Sequence, residues 1–162
     1  RIWLITTNLS YFADFKRFTI EDEDKNSSFA FDPPINRGVD VRMLTLDPES
    51  PIVRYRAEQL RKDYDIIGYR EELRKSARDF YQKYKDRENF SLRIYDDLPV
   101  QITIIRDNEV VTSMIKRGQR SRENLHFLLD MSTSGTRTTF EGHFEEVSAS
   151  PSRHISSYQW AN

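Results

Sequence analysis

Three groups of side chains in this sequence have types and spacing suited to chemistry on an anion or a phosphoester. Asp47, Ser50, Arg54 and Arg56 lie within one ten-residue stretch. Ser50 before Pro51 is a helix-start signal, because the hydroxyl can accept from a first-turn N–H and proline's torsion is preset. A helix N-terminus offers unpaired donors and a partial positive charge, so an anion could sit there with Arg54 and Arg56 about one turn on. The same residues have a plainer use: Ser50 caps the helix, and Arg54 and Arg56 pair with Asp47, Glu49 or Glu58.

The second group is Lys116, Arg117, Arg120 and Arg122, four cations in seven residues, which with Arg106 could face the phosphates of a nucleotide or nucleic acid. The loop holds no aromatic residue on which a base could stack, and a solvated loop accounts for it equally. The third group is His126 or His143 with Asp107. A His close to Asp107 and a cation would suit general acid–base or nucleophilic work on a phosphodiester. As metal ligands the histidines are poor candidates, since zinc sites bring three or four ligands at recognisable spacing. There is no glycine-rich phosphate loop, no Gly-x-Ser-x-Gly elbow and no cysteine. Neither a cofactor nor a metal is expected.

Hydrophobic periodicity supplies the elements that must position these groups. Ile2 to Thr6 is an apolar run suited to a strand covered on both faces, and Asn8 to Phe18 has helical spacing. Glu21 to Asn36, with its polar run and Asp32-Pro33-Pro34, reads as a surface loop. Val39 to Leu46 is a second strand, followed by a helix from Pro51 to about Lys62. Between Asp65 and Asp86, Ile66, Tyr69, Leu73, Ala77, Phe80 and Tyr84 form one stripe of a long helix. Leu92 to Tyr95, Val100 to Ile105, Val110 to Ile115 and Asn124 to Asp130 read as strands, with Arg106 to Asn108 and Glu109 as a tight turn. Phe140, Phe144 and Val147 mark a last helix, and the tail to Asn162 shows no period. The order implies an α/β fold, a mixed sheet sandwiched by helices. If the first two strands are parallel neighbours, Thr6, Thr7 and Asn8 lie beside the Ser50 turn, where open α/β sheets bind ligands.

The 162 residues suit a single domain that buries roughly 70% of the surface its unfolded chain exposes. With 25 basic and 26 acidic side chains the net charge is -1, which gives no general attraction to nucleic acid or to an anionic membrane. Absence of cysteine fits a reducing, cytoplasmic setting. No apolar run approaches the roughly 20 residues that span a bilayer, and the opening residues carry no signal-peptide pattern. The chain reads as one domain, residues 1–162, of a longer protein.

The order of elements, with the Gly38-Val39-Asp40-Val41-Arg42 strand entry, the Asp47-Pro48-Glu49-Ser50-Pro51 turn, the Arg54-Tyr55-Arg56-Ala57 segment, the Val100 to Val111 hairpin and Phe140 to Glu145, resembles one repeat of the phospholipase D superfamily. It is similar in particular to non-catalytic domains of that superfamily in bacterial regulatory and defence proteins. The resemblance implies a His and a Lys two residues apart on the first hairpin strand, then an Asp. Here the Asp position is Asp107, but the His position is Val100 and the Lys position Ile102. Val100 cannot attack phosphorus and Ile102 cannot neutralise the transferring group. The resemblance also implies a homodimer or pairing with another domain, since one repeat supplies half of a two-histidine site. The expectation is a sensor or interaction domain without catalysis that binds an anionic small molecule or nucleotide. The alternatives are a divergent phosphodiesterase or nuclease using His126 or His143 with Asp107, and a nucleic-acid binder using residues 116–122.

Overall fold

The architecture is a mixed α/β sandwich, given by a computed structural model that describes residues 1–13, 31–60, 65–98, 101–114, 124–149 and 153–155. Strand β1 (Ile2–Thr6) follows the opening apolar run and lies in the middle of the sheet. On one side it pairs in parallel with β2 (Val41–Leu46), which pairs in parallel with β3 (Phe90–Tyr95). On the other side it meets β4 (Gln101–Arg106) in antiparallel fashion, then β5 (Glu109–Met114) and β6 (His126–Asp130). With β7 (Arg153–His154) beyond β3, the order is β6-β5-β4-β1-β2-β3-β7.

Two apolar clusters, one on each face, explain why the central strands lack polar alternation. Leu4, Val41, Met43, Leu92 and Ile94 face one cluster, and Trp3, Ile5, Leu44, Leu46 and Ile105 face the other. Such strands are buried on both faces and read as continuous apolar runs. Helix α1 (Ser10–Ala13) contributes Phe12 to the first cluster, α2 (Asp32–Asn36) contributes Ile35, and α3 (Ile52–Leu60) contributes Val53 and Ala57 to the second. Helix α4 (Ile66–Tyr84) serves both: Tyr69 and Leu73 enter the second cluster, Ala77, Phe80 and Tyr84 the first. The Asp65 side chain accepts from the Ile67 N–H at 3.0 Å and so starts this helix. Helix α5 (Ser134–Ala149) closes the second face, where Phe144 stacks on Trp3 at a centroid distance of 4.8 Å.

Two expectations from the sequence need correction. The segment ending at Asn36 was expected as loop, yet Asp32–Asn36 is a short helix. Prolines 33 and 34 occupy its first turn, where the missing N–H groups would have no intrahelical partner anyway. Its side chains are also held: Asp32 accepts from the Tyr84 hydroxyl at 2.7 Å and pairs with Lys83 at 2.6 Å. The tail was expected without regular structure, yet Arg153 and His154 pair with Ile94 and Arg93 as β7. A strand of two residues is too short to leave a period; pairing to β3 makes it. The polar run 21–28, residues 14–18 of the expected first helix, Lys62, Val100, the basic segment 116–122 and the end of the tail lie outside the described residues. Among the described residues, no helix is long and apolar enough to cross a membrane.

Candidate functional site

The C-terminal ends of β1, β2 and β3 come together as the parallel order requires, with Thr6 opposite Thr45 and Leu46 opposite Tyr95. This is the end of an open α/β sheet at which ligands bind. The Ser50 turn is there, as the sequence implied. Asp47 is buried; its Oδ1 accepts from the Glu49 N–H at 2.8 Å and its carbonyl accepts from Ser50 N at 3.1 Å. Ser50 Oγ accepts from Ile52 N at 3.0 Å, so Ser50 caps α3, and it donates its own proton to Asp96 beyond β3. Asn8 is spoken for as well. Its Oδ1 accepts from Ser10 N at 2.8 Å and from the Ser76 hydroxyl at 3.1 Å, while its Nδ2 donates to Glu72 at 2.8 Å.

The electrostatics of this end favour cations over anions. Asp47, Glu49 and Asp96 surround the turn, and Arg74 of α4 reaches Glu49 with an Nε to Oε1 distance of 2.7 Å while also pairing with Glu71. The Glu49 hydrogen bond holds the Arg74 pKa above its ordinary value. Arg54 and Arg56 do not converge on the turn, because positions i and i+2 of a helix face apart. Arg54 is exposed and pairs with Glu58 at 3.1 Å. Arg56 is 1% exposed, beneath Tyr69 and Tyr95. Its Nη1 donates to Gln59 Oε1 at 3.1 Å, and among the described residues Nε and Nη2 are buried without hydrogen-bond partners. Burial lowers its pKa, opposed by the two neighbouring phenols. The arrangement is an internally satisfied turn above a buried guanidinium.

The remaining sequence candidates are dispersed. Arg106 ends β4 and pairs across the turn with Glu109 at 2.6 Å. Lys116, Arg117, Arg120 and Arg122 lie outside the described residues. Ile102 is half-buried in β4 opposite Ser113. Asp107 takes φ of 51° at the first turn position of the β4–β5 hairpin, the left-handed region that Asp and Asn tolerate. His126 is exposed on β6 and His143 is half-buried on α5. Among the described residues, no group of three His, Asp or Glu side chains could hold a metal ion.

Sequence reasoning missed the surface that β6 creates. Leu125, Phe127, Leu128 and Leu129 read only as part of a strand, but among the described residues β6 is the edge of the sheet, and they are 71%, 39%, 66% and 37% exposed. Met114, at the end of the adjoining β5, is 71% exposed. Strands at an edge are ordinarily blunted by charge, proline or a bulge.

The fold defines a mixed α/β domain with an apolar sheet edge at one side and a capped polar turn at the strand ends. No family model matches the chain, and none of the curated proteins matches it. Among solved structures the chain is similar to TrmBL2, an archaeal chromatin protein whose structure shows a novel mode of DNA binding, with 17% identity and a TM-score of 0.47. The match covers 95% of this chain, which spans 45% of that one.

Proposed function

We propose that this chain is a non-catalytic interaction domain on a phospholipase D-like scaffold, and that it self-associates through the β6 edge. The observation that carries this reading is the apolar edge itself: Phe127, Leu128 and Leu129 stand exposed on a strand that, among the described residues, has one side of its backbone unpaired. Support comes from Ile102, which cannot donate to a phosphoryl oxygen, and from the Ser50 turn, whose capping proton is already given to Asp96. An anionic or nucleotide ligand would have to displace that carboxylate. The test is hydrolysis of phosphodiesters in nucleic acid and phospholipid. No turnover is expected; turnover abolished by replacing His126, His143 or Asp107 would overturn the reading.

A second reading, contact with nucleic acid through Lys116, Arg117, Arg120 and Arg122, rests on the density of cations in that segment.

A further inference from the structure

We infer that the occupant of the β6 edge is a second copy of this chain, whose β6 runs antiparallel to the first about a twofold axis at Leu128. This deepens the self-association proposed above and rests on it. The backbone sets the geometry. Met131 N donates to Asn108 O at 2.7 Å on the β5 side. Because backbone groups of alternate residues point to alternate sides of a strand, Leu129 and Phe127 also face β5. His126, Leu128 and Asp130 therefore present their N–H and C=O groups to the open side.

A self-complementary strand needs a register in which each residue meets a suitable partner, and centring on Leu128 supplies one. Leu128 then meets Leu128 of the second copy on one face of the joined sheets. Phe127 meets Leu129 on the other face, which carries the buried Val110 paired with Leu129. His126 meets Asp130, so an imidazole N–H can donate to a carboxylate at each end, and polar and apolar cross-strand pairs both stabilise a ladder. Ser132 donates to Asp130 from its hydroxyl at 2.7 Å and its amide at 2.8 Å, which holds the carboxyl below its ordinary pKa and keeps it anionic. Sliding the centre to Phe127 would set His126 against Leu128 and lose the imidazole–carboxylate match. Joining two edges this way continues the sheet across both copies and brings the exposed Leu and Phe side chains into cross-strand contact.

The absence of cysteine gives a clean background for disulfide trapping. Hydrogen-bonded antiparallel pairs have Cα atoms about 5.5 Å apart, within the range a disulfide spans. Leu128→Cys should form a covalent dimer with itself under mild oxidation. His126→Cys and Asp130→Cys should form one only when mixed. Leu128→Lys, at an exposed position, should keep the circular dichroism spectrum and weaken association by at least tenfold in sedimentation. Self-crosslinking that peaks at Phe127→Cys or Leu129→Cys would overturn the register. A dimer unaffected by Leu128→Lys would overturn β6 pairing while leaving self-association standing. A monomer at all concentrations would overturn both, and neither result bears on the hydrolysis assay that tests the absence of catalysis.

Discussion

Ser50 and Asp96, 46 positions apart, are joined by a hydrogen bond in which the capping hydroxyl of α3 donates to the carboxylate beyond β3. The bond ties the start of a helix to the exit of a strand and closes the polar end of the sheet. Ser50→Ala removes both this bond and the cap on Ile52. A loss of about 1–2 kcal/mol of stability is expected, read from the urea midpoint at unchanged m-value. Asp96→Asn, which leaves the cap in place, should cost less than Ser50→Ala. Equal costs would show that the cap contributes nothing.

Arg56 is buried beside the phenols of Tyr69 and Tyr95, and among the described residues two of its nitrogens have no hydrogen-bond partner. Desolvating an unpaired charge is expensive, and a straight apolar side chain of similar length fills the same space without that cost. Arg56→Met is therefore expected to match or exceed the parent in stability by about 1 kcal/mol. Arg56→Ala should lose about 2–4 kcal/mol, because it leaves a cavity. Denaturant unfolding distinguishes them, and a strongly destabilised Arg56→Met would mean that the guanidinium is needed where it is.

Alkaline stability should be set by Tyr84 and Tyr95. Burial raises both phenol pKa values, and at Tyr84 the Asp32 carboxylate adds to the effect. A folded-state pKa above the unfolded one contributes stability that is complete below the unfolded value and falls as pH rises past it. Unfolding free energy should thus decline above about pH 10, with each phenol contributing a slope of about 1.4 kcal/mol per pH unit. Tyr84→Phe should shallow that decline. An unchanged slope between pH 10 and 11 would show that Tyr84 ionises as freely in the folded protein as in the unfolded one.

Asp107 works as a turn residue. At φ of 51°, Asp107→Gly should be neutral or slightly stabilising, whereas Asp107→Val should cost about 1–2 kcal/mol, since a β-branched residue fits the left-handed region poorly. Thermal unfolding of the two variants checks the order. An equal loss in both variants would indicate that the carboxylate, rather than the backbone angle, matters.

The basic segment separates the two functional readings. Duplex DNA at physiological salt is expected to bind no more tightly than non-specific contacts of about 10⁻⁴ M. Tighter binding that weakens steeply with salt, and disappears when Lys116, Arg117, Arg120 and Arg122 are replaced by Ala, would favour the nucleic-acid reading. Fluorescence anisotropy over a salt series provides the measurement.

Much of this fold is legible in the residues because local rules and the global fold agree. The run Ile2 to Thr6 is β1 itself, and the apolar stripe from Ile66 to Tyr84 is the buried side of α4. Asp107 and Asn108 turn the hairpin. The Ser50 cap formed where the Ser-Pro pair placed it, and the parallel β1–β2 pairing brought Thr6 and Asn8 to the same end of the sheet. Helix α2 and strand β7 were not legible, since a proline-led helix of five residues and a strand of two are held by contacts far away in sequence. Arg54 and Arg56 show a finer limit. Their adjacency suggested one anion site, but helix geometry turned one to Glu58 and the other into the core.

By itself the sequence determined the class of fold, the central strands, the long helix and the capped turn, because each depends on short-range periodicity or on one side chain bonding to a nearby backbone group. Only the tertiary structure decided which apolar run is core and which is edge. Leu4 and Leu128 occupy runs of similar character, yet one is fully buried and the other is 66% exposed. The difference lies in strand order, β1 at the centre and β6 at the rim, and strand order is fixed by the packing of the whole chain rather than by any window of it.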